Sequence, residues 1–112
     1  MDGDQFMNEE KTIPSKTEAI AEIREKAELP DVYEQLAEEA AELAQAANKM
    51  ARVLRGTNPT PVTEWDAEQL LIEEYTDVVL VAKDILGLET SWLTENFKLQ
   101  RWAKRLREKE GS

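Results

Sequence analysis

Apolar residues return at every third or fourth position through the middle of the chain. In Glu34 to Leu54, EQLAEEAAELAQAANKMARVL, the residues Leu36, Ala40, Leu43, Ala47, Met50 and Leu54 share one stripe at about 100° per residue. That spacing predicts a single long amphipathic helix. Its acids do not sit on the opposite, water-facing side: Glu39 and Glu42 stand about 60° apart on the neighbouring stripe, with Glu38 beside them. Glu39 borders the apolar face, where an unpaired carboxylate is costly to bury. A second stretch, Gln69 to Leu86, repeats the arrangement with Glu74 and Asp77, the latter running into Val78-Val79-Leu80-Val81-Ala82.

The punctuation around these stretches sets the other elements. Met1 to Pro14 has no clear period and is expected to be a loose arm. Ser15-Lys16-Thr17-Glu18 is a capping box that opens a short helix to about Glu28, with Ile20 and Ile23 inward. Pro30 ends it, and Asp31 is placed to cap the long helix, which Gly56 closes after Arg52 and Arg55. Thr57 to Val62, TNPTPV, has two prolines and predicts a stiff turn or lid. Thr63-Glu64-Trp65-Asp66 starts a third helix that runs to Gly87. The run Val78 to Val81 also suits a buried strand, but the flanking period and the length favour helix. This helix is apolar nearly all round, so it needs cover on both sides, and a helix-packed homo-oligomer is the expectation, the alternative being a helix at the centre of a monomeric bundle. A last helix, from about Ser91 to Glu108, sets Trp92, Leu99, Trp102, Ala103 and Leu106 on one side. Lys98, Arg101 and Arg105 fall within about 60° of one another and form a basic patch. The expected fold is all-α: one domain over 15–110, a bundle of three to four main helices.

Composition narrows the chemistry. The chain has 112 residues, enough for one core but not for two. Cysteine and histidine are both absent, which removes disulfides, thiolate sites, the common zinc sites, Ser-His and Cys-His nucleophiles and the Glu-x-x-His pairs of di-iron bundles. A metal here has to be hard and oxygen-bound, most simply Mg²⁺ or Mn²⁺. The net charge of −10 argues against a nucleic-acid partner. No apolar run reaches the roughly 18 residues of a membrane span. With an acidic start, MDGDQFMNEE, unlike a signal peptide, the expectation is no membrane association and a cytoplasmic location.

Two carboxylates at i,i+3 lie about one turn apart on one helix face and can reach one metal or a close pair. A partner helix with the same spacing completes a carboxylate box, self-repelling when empty and an electrophilic clamp when filled. Charged residues make up 34% of the chain, so a solvated face explains Glu38, Glu68 or Glu73 taken singly. It explains Asp77 less well, because the apolar run that follows leaves little room for such a face. Glu39, Glu42, Glu74 and Asp77 are therefore the candidate ligands.

Glu38-Glu39-Ala40-Ala41-Glu42 followed by Glu74-Tyr75-Thr76-Asp77 resembles the E-E-x-x-E … E-x-x-D signature of the all-α nucleoside triphosphate pyrophosphohydrolases, the MazG-like superfamily. That superfamily also includes dimeric dUTPases and phosphoribosyl-ATP pyrophosphohydrolases. The likeness spans roughly Tyr33 to Leu86, and the interval from Glu42 to Glu74 is somewhat longer than usual in MazG-like domains. The resemblance implies a Mg²⁺-dependent hydrolase cleaving NTPs or dNTPs between the α and β phosphates, giving the monophosphate and pyrophosphate. By position it implies Glu39, Glu42, Glu74 and Asp77 as metal ligands, with Glu38 helping to orient the attacking water and Glu38 and Glu39 as the catalytic pair. The oligomer expected from the apolar third helix would be a homodimer or homotetramer. Lys49, two turns beyond Glu42 on its stripe, together with Lys98 and Arg101, is a candidate for the triphosphate. Asn48 suits a polar contact and Trp65 a stack on the base, although aromatic residues at helical spacing also suit a core. The alternatives are a phosphoribosyl-ATP pyrophosphohydrolase, a dUTPase-like enzyme, and a non-catalytic acidic helical interaction module.

Overall fold

The computed structural model describes residues 15–111, and the expected arm, Met1 to Pro14, lies outside the described residues. Four helices follow in order: α1 (Lys16–Lys26), α2 (Leu29–Arg55), α3 (Glu64–Val79) and α4 (Trp92–Gly111). Between α3 and α4 the chain continues through one widened, π-helical turn, Leu80–Ile85. No strand occurs among the described residues.

Local chemistry explains most of the boundaries. Ser15 Oγ accepts from the Glu18 amide at 3.1 Å, and Thr63 Oγ1 does the same for the Asp66 amide at 3.1 Å. Each hydroxyl satisfies a donor that a helix start leaves without a partner. Gly56 and Gly87 end their helices at φ 73° and 69°, left-handed values that side chains with a Cβ resist. Asp31 is not the cap of α2. The helix begins two residues earlier, at Leu29, because Pro30 fits a first turn, where its missing N–H costs nothing. In the turn after α2, Asn58 accepts from Arg52 Nε at 3.2 Å and donates to the Thr60 carbonyl at 2.6 Å.

The α2–α3 hairpin is the main helix–helix interface. The face that α2 turns inward differs from the expected stripe. Val32 and Ala46 are buried and Leu36, Glu39, Leu43, Met50 and Val53 half-buried, while Ala40, Ala47 and Leu54 are exposed. The inward direction is rotated toward Ala46, so Glu39 lies within the packed face and not at its border. Ala67, 1% exposed, plays the corresponding part on α3. Small residues at these positions let two helices approach closely.

The π-helical turn follows the β-branched pair Val78-Val79, whose side chains crowd a regular helix. Its wider winding shows in the bond from Leu86 N to the Val81 carbonyl, 2.9 Å. The carbonyls at its end find a partner in α1: Arg24 donates through Nη2 to Asp84 O at 2.6 Å and through Nε to Ile85 O at 3.1 Å. Lys16 adds an ion pair to Asp84 at 3.7 Å. Ile20 and Ile23 do face this junction, but Ile23 stays 45% exposed because the groove between α1, α2 and the turn is open.

Apolar cover is thin. Val32, Ala46 and Ala67 are the buried apolar residues among those described, whereas Ile72, Tyr75 and Leu80 of the third helical stretch remain exposed. Among the described residues α4 approaches no other helix. The radius of gyration is 20.2 Å, against roughly 13 Å for a compact domain of about 100 residues. No helix of the described residues is long and apolar enough to cross a membrane.

Arg24→Ala removes the donors that close the end of α3. It is expected to lower stability by about 1 kcal/mol and to raise amide exchange in α1 and in 80–88, with the α2–α3 hairpin unchanged. Arg24→Lys, which keeps the charge but not the fork, should recover only part of the protection. Unchanged exchange in Arg24→Ala would show that the contact holds nothing together.

Candidate metal centre

The hairpin register builds the centre. α2 and α3 run antiparallel across the Thr57–Val62 turn, so moving one turn up α2 matches moving one turn down α3. Glu39 thereby comes level with Asp77, and Ala46 with Leu70. Glu74 lies one turn from Asp77 on the same face of α3. Carboxylate oxygens of Glu39, Glu74 and Asp77 lie within 4.8 Å of one another, all three residues being half-buried.

Few compensating donors reach this cluster. Gln35 Nε2 donates to Glu39 Oε1 at 2.7 Å. The other oxygen of Glu39, Oε2, and Oε2 of Glu74 are buried without a hydrogen-bond partner among the described residues. A buried acceptor left without a partner is destabilising, more so if charged. The Glu74 carboxyl is held above the usual glutamate range. Burial is the largest cause, followed by the neighbouring Glu42 carboxyl and then the charges of Asp77 and Glu73. Neighbouring like charges disfavour the ionised form of Glu74, and a countercharge there would relieve that. A hard divalent cation fits the set: oxygen donors only, two of them unpartnered, from two facing helices.

The remaining candidates divide. Glu42 stands outside the three-acid cluster but adjoins it through Glu74, and with Lys49 it lines a polar groove of about 420 Å³ that also takes in Gln45, Arg52 and Leu70. Glu38, Asn48 and Trp65 are exposed. Lys98 and Arg101 ride on α4, which does not approach the cluster within one chain, and the Arg101 guanidinium lies 5.7 Å from the Phe97 ring. Gln35, Gln45 and Arg52 join the site beyond the residues expected there. Gln35 is one turn before Glu39, while Gln45 and Arg52 continue the stripe of Glu42 and Lys49, and that periodicity could have found them.

The raised value of Glu74 fixes the sign of a pH effect. The folded chain binds this proton more tightly than the unfolded chain. The contribution is therefore fully present below the unfolded-state value and is lost as pH rises through the folded-state value. With chelator present, wild type should lose stability to urea across that window relative to Glu74→Gln, which should be the more stable protein above it. Parallel pH profiles for the two proteins would remove the repulsion from the account. Comparison with family models, with curated proteins and with solved structures finds no match.

Proposed function

We propose that the chain is a divalent-metal-dependent nucleoside triphosphate pyrophosphohydrolase of the MazG-like kind, working as a homodimer or homotetramer. The observation that carries this reading is the convergence of Glu39, Glu74 and Asp77 with two unpartnered carboxylate oxygens. The order and spacing of the acids in the sequence, with their resemblance to the E-E-x-x-E … E-x-x-D signature, supply the reaction class.

In this scheme Glu39, Glu74 and Asp77 hold Mg²⁺ or Mn²⁺. The metal, when bound, screens the phosphates and offsets charge developing on the leaving pyrophosphate. Lys49 and Arg52, along the groove from Glu42, bind phosphate oxygens and orient the chain of the triphosphate. Water attacks the α phosphorus, the bond from that phosphorus to the α–β bridging oxygen breaks, and pyrophosphate leaves. Glu42, beside the cluster and open to the groove, accepts the water proton. Glu38 faces solvent and has at most an electrostatic part. Gln35 keeps Glu39 oriented by its 2.7 Å hydrogen bond. No covalent nucleophile is needed, in keeping with a chain that lacks both cysteine and histidine. The exposed apolar surfaces of α3 and α4 favour the oligomer and equally suit a non-catalytic interaction module, so the test has to separate binding from turnover.

Purified chain with Mg²⁺ and a panel of NTPs and dNTPs should release the monophosphate and pyrophosphate in equal amounts, and Glu39→Gln should lower the rate by about 100-fold or more. Thermal melting should rise with Mg²⁺ and rise again with a non-hydrolysable nucleotide above its dissociation constant. Release of orthophosphate would refute cleavage at the α–β position. A metal shift with no nucleotide shift and no turnover would leave the interaction module in its place.

A further inference from the structure

We propose that α4 of one copy docks into the groove between α1, α2 and the π-helical turn of a second copy, in a reciprocal exchange. This rests on the reading that copies of the chain associate, and on no part of the catalytic scheme.

Among the described residues, two surfaces of the same chain lack partners. On α4, Trp92, Leu99, Trp102 and Leu106 share one side of the helix and are 72%, 60%, 59% and 53% exposed. Across the molecule, Ile20, Ile23, Val32, Leu80, Val81 and Ile85 line an apolar groove of about 490 Å³, with Asp31 and Asp84 at its margin and Lys16 paired to Asp84. One surface is a ridge and the other a trough. A two-fold exchange puts one of each into contact twice, which closes the assembly without leaving either surface over.

Charge selects this pairing over the others. α4 holds six Lys or Arg against three Glu, a net +3. The whole chain carries −10, so the rest of it carries −13. Docking α4 on another body sets cation against anion, whereas pairing two α4 helices sets six cations against six. Their seam is also poor: stepping by heptads from Trp92 through Leu99 to Leu106, the intervening positions are Glu95, Trp102 and Lys109. An anionic lipid surface would attract α4 but repel the remainder, and would leave the groove open. Area is sufficient. Burying those four side chains on two copies removes on the order of 1,000 Å² from the helix side alone, and a specific interface needs roughly 1,000 Å² counted over both sides.

The test uses the full chain and the variants Ile23→Glu and Leu106→Glu, both at exposed positions outside the metal centre. Sedimentation velocity should give a dimer or a multiple of it for wild type. Each variant alone should dissociate with a Kd raised tenfold or more, with helicity unchanged by circular dichroism. Mixing the two variants should restore association, because the mixed pair keeps one unaltered α4 facing one unaltered groove. Higher salt should weaken wild-type association. If either Glu variant loses helicity, Ile23→Ala and Leu106→Ala replace them with the same expectations. Retained dimers in Ile23→Glu would mean α4 pairs elsewhere, and retained dimers in Leu106→Glu would mean the exposed face of α3 does the work. A monomeric wild type would mean that α4 folds back on its own groove or meets a different partner. Binding of that monomer to phosphatidylcholine–phosphatidylserine vesicles, but not to phosphatidylcholine alone, would assign α4 to a membrane surface. Each of these results overturns the exchange, and none bears on pyrophosphate release.

Discussion

The crowding of the Glu39, Glu74 and Asp77 carboxyls between two facing helices is the constraint that the hairpin has to meet. Two helices that pack through Ala46 and Ala67 come close, and the same closeness forces three carboxyls within 4.8 Å of one another. Buried acids without countercharge destabilise the fold they sit in. The Glu74 carboxyl is held above the usual glutamate range, by burial first and then by Glu42, Asp77 and Glu73, and the oxygens of Glu39 and Glu74 that lack partners among the described residues belong to the same cluster. Packing and chemistry are therefore one problem here. The register that buries Ala46 also aligns the acids.

The rest of the molecule supports that hairpin from one end. The π-helical turn begins three residues after Asp77, and Arg24 closes its carbonyls from α1. This ties α1 to the end of α3 that carries the acids. Beyond it, α4 approaches no other helix among the described residues. The sparse burial of the described residues and the exposed side of α4 are the surfaces that the proposed association would cover.

Much of this was legible in the sequence because it is written in local chemistry. Ser15, Thr63, Gly56 and Gly87 mark boundaries by capping and by left-handed backbone, and both work on near neighbours. The acids were legible because i,i+3 spacing survives any rotation of the helix about its axis. That rotation itself was not. Alanines at 40, 41, 44, 46, 47 and 51 surround much of α2 with small apolar side chains, so several stripes look alike until α3 selects one. For the same reason Glu39 was expected at the border of the face and lies within it. The contacts of Arg24 with residues 84 and 85 were out of reach, since no period links positions some sixty residues apart. Neither could the apolar side of α4 say what it meets.

The most direct measurement is Mn²⁺ binding followed by the loss of the free-ion signal in electron paramagnetic resonance, comparing wild type with Asp77→Asn. Asp77 adds charge to the cluster without touching the groove where phosphate would lie. Wild type should take up Mn²⁺ at a saturable site, Mg²⁺ should compete for it, and Asp77→Asn should lose most of the affinity while keeping its helical content. A free-ion signal undiminished by wild type, or uptake that Asp77→Asn leaves intact, would contradict a metal held between these two helices.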